Sequence, residues 1–474
     1  MTEATSSTEI RRRQFAGTAL SGLSVLASAA LTELSGTANA ASLAADSLPQ
    51  LLPRAKHVIY LHMIGAPSQL DLFDEKPELR RRHNQPCPES VTRGRNFAFI
   101  GKTSALAGSP WRFQRHGASG QVFSELLPEL ARQADELAVI RSLHTDEINH
   151  APAQMMLHSG FGRGGRPALG AWVTYGLSAE TRSLPAYVVL LSGPPGGAGT
   201  SLWSAGFLPG VYQGIPFRSQ GDPVLFLTSP EGYRPEDRRR ELNATATLNG
   251  LQQEVSGDPE AATRTAQYEL AYRMQAAVPE LMSIAGETQS TLKMYGAVPG
   301  KASFANNCLL ARRLVERGVR MVELYDADWD HHSGLQSALP KKCRDVDRGM
   351  AALLSDLRQR GMLDETLVVW GSEFGRTPLR QGTAAAGDAV PGRDHHRDAF
   401  TVWMAGGGIR GGVSWGSTDE FGMDVVDQPV HVHDFNATIL HQLGLDHRRL
   451  TWRFQGRDFR LTDVHGEVVQ GILG

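Results

Sequence analysis

Residues 319–332 read Val-Arg-Met-Val-Glu-Leu-Tyr-Asp-Ala-Asp-Trp-Asp-His-His. The stretch starts just after Gly318, runs as a largely apolar segment over 319–324, and ends in carboxylates and imidazoles. A short apolar run bounded by turn residues fits a buried strand inside a parallel sheet. Two more clusters follow. Ser372-Glu373-Phe374-Gly375-Arg376 succeeds the apolar run 366–370, and Asp394-His395-His396 precedes the apolar run 400–404. Open α/β sheets gather ligands outside the carboxyl ends of their strands, so these clusters are expected to converge on one crevice.

Working outward, further apolar runs at 58–63, 137–140 and 186–191 read as strands. Helical spacing is read over 123–136, 151–157, 304–318 and 346–361, with Gly160, Gly318 and Gly361 as stop signals. Strands alternating with helices of this length imply βαβ units and a mostly parallel sheet, an α/β fold. Residues 75–121 are polar and rich in Arg, Pro and Gly and read as loop. Residues 193–300 open with Gly and Pro and turn polar and helical, the pattern of an insertion or cap. Gly406-Gly407-Gly408-Ile409-Arg410-Gly411-Gly412 opens no helix at the right spacing, which excludes a dinucleotide fingerprint.

The chain has 474 residues, 41% hydrophobic and 21% charged, with a formal net charge of −2. That size supports a large core without disulfides. The charge balance argues against a nucleic-acid surface. Cys87, Cys308 and Cys343 provide no disulfide framework. Arg11-Arg12-Arg13-Gln14-Phe15, a mildly apolar stretch over 16–31 and Ala38-Asn39-Ala40 follow the order of a twin-arginine export signal. The expected organisation is therefore a signal peptide at 1–40, a linker at 41–56 and a mature domain at 57–474. The twin-arginine translocase would be a partner during export, and the destination is periplasmic or extracellular. The mature chain shows no stable membrane span.

Mixed oxygen and nitrogen donors suit zinc, manganese or iron. Asp330 and His332 lie just past the 319–324 strand, and Asp328 is four residues before His332, a ligand spacing on a helical turn. One Asp-x-His would be an ordinary solvated turn; three clusters after three strands favour a site. Glu373 is a candidate ligand or general base, or else a cap or ion-pair partner of Arg376. Arg376 is a candidate clamp for an anionic oxygen. His395 is a candidate ligand, and Asp394 either orients it or binds directly. His396 and Arg397 are read as solvated. His150 opens a helix, where free amides favour an anion. Asp71 and Asp74 are candidates for a second metal site or for turn carboxylates. His431 and His433 are read as structural, with Asp434 as a helix N-cap.

The ordered set Gly-Ala-Pro-Ser-Gln-Leu-Asp (65–71), Asn149-His150, Trp329-Asp330-His331-His332, Ser372 to Arg376, Gly392-Arg393-Asp394-His395-His396 and the ending Gly456-Arg457-Asp458-Phe459-Arg460-Leu461-Thr462-Asp463 resembles the family called domain of unknown function 1501. The likeness spans nearly all of the mature chain, in the branch common in planctomycetes. It implies kinship with the alkaline phosphatase and sulfatase superfamily: a three-layer α/β fold, one or two divalent metals, and hydrolysis of phosphate or sulfate esters. By that resemblance Asp330, His332 and His395 form the first metal site. Glu373 falls where an Asp is usual, and Phe374 where a His ligand is usual, so the second site is weakened or rebuilt. His150 stands where relatives carry a Ser, Thr or formylglycine-forming nucleophile. No Asp closes the first strand, and Asp71 is the substitute.

The expectation is an exported hydrolase of a small-molecule or glycan phosphate or sulfate ester, using zinc, manganese or calcium. Asp330, His332, His395, Glu373 and Asp71 are the candidate metal ligands. His150, Glu373 and Arg376 are the candidate catalytic residues. The competing reading is a non-catalytic scaffold that binds an anionic glycan or serves as an envelope assembly subunit. A lyase or mutase on the same scaffold is a third.

Overall fold

A computed structural model describes residues 51–474 apart from 102–103, 219–221, 225–231, 258–259 and 383–389. The export signal and the first part of the expected linker lie outside the described residues. A nine-stranded sheet organises the rest. Its strands are β1 (His57–Met63), β2 (Leu137–His144), β3 (Tyr187–Ser192), β4 (Ile215–Phe217), β5 (Met321–Asp326), β6 (Thr366–Gly371), β9 (Phe400–Ala405), β10 (Val413–Trp415) and β11 (Val430–His431). Between β6 and β9 in the chain, β7 (Gly375–Arg380) and β8 (Arg393–His396) form a separate antiparallel pair. The order across the large sheet is β10-β2-β9-β6-β1-β5-β3-β4, with β11 also paired to β2. Every pairing is parallel except those of β9, which runs antiparallel to both neighbours.

Central β1 shows why the sheet is buried on both faces. Ile59, Leu61 and Met63 belong to one core cluster, while Val58 and Tyr60 belong to the other. Successive side chains of a strand point to opposite faces, so this alternation places a core on each side. Helices α6 (Phe304–Glu316) and α7 (Leu335–Gln359) cover the first face through residues such as Leu310, Leu314, Val346, Met350 and Leu357. Helices α2 (His150–Ser159), α3 (Leu169–Leu177) and α8 (Val432–Gln442) cover the second through Leu157, Trp172, Phe435 and Ile439. Helix, sheet and helix make three layers. Each fully buried Leu or Phe contributes about 1.5–3 kcal/mol.

The segment read as an insertion contains edge strand β4 and two long helices, α4 (Pro235–Ser256) and α5 (Glu260–Met282), which pack on each other. Asn249 donates to Thr265 at 2.9 Å across that pair. Residues 75–121 are more structured than expected. They carry short helical turns, and Phe113–His116 pairs with Gln121–Ser124 as a hairpin. The helix expected over 123–136 is corrected accordingly: Phe123 is a hairpin residue buried edge-on against Phe73. Pro128 then starts a single helical turn, α1 (Pro128–Ala131), since its ring suits the first positions of a helix. Among the described residues no helix is long and apolar enough to cross a membrane.

Candidate metal centre

The ends of adjacent strands β6, β1 and β5 build the site. After β5 the chain runs non-helically through 327–331, so Asp328 and His332 do not share a helical turn. Trp329 is buried and donates its indole N–H to Asp326 at 2.8 Å. Lys342 also reaches Asp326, at 2.6 Å. With Trp329 anchored inward, the chain turns tightly, His331 and His332 N–H donating to the carbonyls of Trp329 and Asp330 at 3.0 and 3.2 Å, and Asp330 and His332 come together in the crevice. After β6, Glu373 is fully buried. His395 arrives from β8, opposite Arg376 on β7. His150 is the first residue of α2, behind N-cap Asn149.

His150, Asp330, His332 and His395 each offer one ligand atom, and these atoms lie within 4.8 Å of one another. Each imidazole uses Nδ1 to donate to an oxygen: His150 to Glu373 at 2.7 Å, His332 to Gln381 at 2.6 Å, and His395 to the Ile148 carbonyl at 2.8 Å. In the neutral ring that fixes the tautomer and leaves the lone pair on Nε2. All three Nε2 atoms approach Asp330, at 3.2, 2.9 and 3.7 Å respectively. The Nε2 atoms of His150 and His395 are buried and make no aligned hydrogen bond. Orphaned acceptors beside a carboxylate are what a divalent cation would satisfy, and three imidazoles with one carboxylate match zinc-type coordination.

The electrostatics agree. Burial pulls the His150 imidazole down, but Asp330 and Glu373 outweigh it and raise its pKa to about 9. Burial opposes ionisation of Asp330, yet the imidazoles of His150, His332 and His395 and the Arg376 guanidinium around it hold its carboxyl far below the usual range. Glu373 resists burial in the same way, kept anionic by His150 and His62. A pocket that binds a proton this tightly also attracts a cation in the proton's place.

Glu373 stands behind this group rather than in it. It accepts from Gly65 N–H at 2.9 Å, Gln154 at 3.1 Å and Ser372 Oγ at 2.6 Å, besides His150. Arg376 is 1% exposed, and its guanidinium donates to the carbonyls of Gly65, Ala66 and Arg393 and to Asp330 Oδ1 at 2.6 Å. Its bonds therefore tie the β1 turn to Asp330. Asp71 is not brought into the group: Arg393 holds both its oxygens, at 2.7 and 3.1 Å, and Ser68 donates to it at 2.6 Å. Asp394 accepts from the backbone of Phe99, Ile100 and His395, and so orders the loop beside the site. Phe374 is buried with Ala66 and Ala153, and its ring lies 4.9 Å from that of His150 and 4.6 Å from that of His395.

His396 is buried, not solvated, and donates to the Met423 carbonyl at 2.8 Å. At α8 the N-cap is His431, and Asp434 is the reciprocal residue of the capping box. Residues overlooked in the sequence include Gln381 and Gln154, and also His62 and His158. These last two link at 3.2 Å in the core behind Glu373. An imidazole such as His62 inside an otherwise apolar strand was the available signal.

The described residues form a three-layer α/β protein whose candidate metal ligands lie past its central strands. The chain belongs to the family described as "Protein of unknown function (DUF1501)", which matches residues 55–473. Similar solved structures include Ps i-CgsB in complex with k-i-k-neocarrahexaose, at 10% identity over 82% of this chain and 72% of that one, TM-score 0.36. The alkaline phosphatase from the Antarctic bacterium TAB5 is similar at 12% identity over 75% and 92%, TM-score 0.30. A protein of the alkaline phosphatase superfamily from Vibrio parahaemolyticus is similar at 8% identity over 84% and 68%, TM-score 0.36. Likenesses at this level say nothing about the site. No curated protein matches the sequence.

Proposed function

We propose that this chain is an exported, metal-dependent hydrolase of phosphate or sulfate esters. One observation carries the reading: three imidazoles, each with Nδ1 committed to an oxygen, turn Nε2 toward a single carboxylate. Asp330, His332, His395 and His150 would hold the ion. A bound divalent metal supplies Lewis-acid polarisation of an ester oxygen and lowers the pKa of coordinated water. Glu373 fixes the His150 ring and its tautomer. Arg376 holds Asp330 in place and balances its charge. Phe374 walls the group on one side and limits water there. The arginine cluster and small-residue pattern before position 41 support export in the folded state.

The test pairs elemental analysis with a panel of phosphate and sulfate monoesters, using the wild type and Asp330→Ala. About one divalent ion per chain and ester turnover are expected in the wild type, with both lost in the variant. Bound metal and turnover that persist in Asp330→Ala would overturn the assignment. A stoichiometric ion without turnover on any ester would favour a binding scaffold.

A further inference from the structure

Alternate residues of a strand face the same way, and on the α2 side of the sheet this sets Tyr60 and His62 of β1 beside Glu323 and Tyr325 of β5. His158 of α2 packs over them, its Nε2 3.2 Å from His62 Nδ1. His62 Nε2 lies 3.4 Å from Glu373 Oε2, and His158 Nδ1 lies 3.4 Å from Glu323 Oε1. Glu373 in turn holds His150. An unbroken line of side chains thus runs from a candidate metal ligand to Glu323, and Glu373, His62, His158 and Glu323 are each 0% exposed. Resting on the metal-centre reading, we propose that His62, His158 and Glu323 are positioning residues: the line holds one proton more than two neutral imidazoles supply, and its hydrogen bonds all point toward Glu373, which stays an anion behind His150.

The line has three links: Glu323 to His158, His158 to His62, and His62 to Glu373. Two neutral imidazoles bring only two N–H groups. With those alone, at least one link is left with two lone pairs facing each other, whichever tautomers are chosen. His62 Nε2, His158 Nδ1 and Glu323 Oε1 are buried without an aligned hydrogen bond, a costly state for polar atoms in a dry core. A third proton in the link between Glu323 and His158 frees Nε2–H of His158 to donate to His62, and Nε2–H of His62 to donate to Glu373. All three links are then filled.

Charge balance requires the same proton. Among the described residues no lysine or arginine pairs with Glu323 or Glu373; His150 and His62 serve Glu373, and His158 alone serves Glu323. A buried carboxylate without a cation draws a proton into its contacts. Tyr187 and Tyr325 donate to Glu323 Oε2, Tyr325 at 2.6 Å. Burial, and then Glu323 itself, raises both phenols, so they keep their protons and leave Oε1 to the link with His158. Tyr60, whose ring lies 5.3 Å from that of His158, is raised by burial in the same way. Burial lowers the His62 imidazole in spite of Glu373, which puts the surplus proton at the Glu323 end.

Nitrogen NMR on the metal-free protein with isotope-labelled histidine reads the proton count, with His62→Gln and His158→Gln assigning the signals. Both nitrogens of His62 and of His158 should be protonated or hydrogen-bonded; a bare ring nitrogen on either residue would overturn the shared proton. Competition with a fluorescent zinc chelator reads the positioning. His158→Phe should weaken zinc binding about fivefold, somewhat less than the ~10–100-fold lost with a direct partner of a ligand. His158→Gln, whose amide can accept at one end and donate to His62 at the other, should restore most of that affinity. Wild-type affinity in His158→Phe, or no recovery in His158→Gln, would overturn the positioning role. Glu323→Gln offers His158 a donor without an acid, so its urea midpoint should match the wild type. A clearly lower midpoint would mark Glu323 as the anion of an ion pair and overturn the count. This near-isosteric variant and the nitrogen spectrum decide the matter if His158→Phe folds poorly. A wild type that takes up no zinc yet shows no bare nitrogen would remove the metal centre and leave the proton count standing.

Discussion

Glu373→Gln isolates one negative charge behind the metal centre while keeping shape. The carboxylate is fully buried, and its Oε1 takes hydrogen bonds from His150 Nδ1 at 2.7 Å, Gly65 N–H at 2.9 Å and Gln154 at 3.1 Å. Bonds to a charged acceptor are roughly twice as strong as neutral ones. Weakening the two shortest should cost about 2–3 kcal/mol of stability at ~1–1.5 kcal/mol each. The His150 ring would lose the partner that makes Nε2 electron-rich. Loss of such an orienting carboxylate typically lowers metal affinity about 10–100-fold, or ~1.4–2.7 kcal/mol. Competition between the apo protein and a fluorescent zinc chelator reads the affinity, and urea unfolding reads the stability. An unchanged zinc affinity alongside a lower urea midpoint would refute the orienting role and leave Glu373 purely structural. A drop of many thousandfold would refute it from the other side, making Glu373 a ligand in its own right.

Other consequences can be measured directly. Gly65 has φ +107°, and a Cβ there would lie 2.6 Å from the backbone nitrogen of Asp330. Gly65→Ala should therefore cost at least ~2 kcal/mol in a urea melt and displace Asp330, with zinc affinity falling in parallel. Arg376→Lys cannot reproduce the guanidinium bonds to Gly65, Ala66, Arg393 and Asp330, so a thermal melt should show a loss of about 3 kcal/mol. Chelation should lower the melting temperature, since an ion present at about 100 times its Kd stabilises by ~2.7 kcal/mol. Acid should destabilise the fold through His433, whose pKa burial lowers to about 4 with help from His431 and His465. The unfolded imidazole takes its proton near pH 6.5, before the folded one. Stability is thus fully present above that pH and should fall by up to ~3 kcal/mol as pH drops toward 4. His433→Phe should flatten that part of a stability-versus-pH curve.

Most of the sheet was legible because its strands are continuous apolar runs, the mark of burial on both faces. The run at 58–63 and the run at 366–370 match β1 and β6 within a residue. Long helices such as α6 were legible through their spacing and Gly318. Asp330, His332, His395 and His150 could be singled out because imidazoles and carboxylates after strands are chemically conspicuous. Asp71 shows the limit. A carboxylate following a strand looks the same whether it meets a cation or an arginine, and its partner Arg393 lies 322 residues away. Gln381 was invisible for the same reason: an amide that steers an imidazole carries no local mark, and the His332 it holds is 49 residues distant. The hairpin of Phe113–His116 and Gln121–Ser124 escaped because four-residue strands in a polar segment are too short for a period to emerge.

The candidate ligands sit at positions 150, 330, 332 and 395, contributed by a helix start, a loop and a hairpin. No short stretch of the chain contains more than two of them, so a nascent or partly assembled polypeptide offers an ion only a weak, transient hold. Capture must wait until most of the sheet is in place. Whichever compartment completes folding also chooses which cation the protein carries.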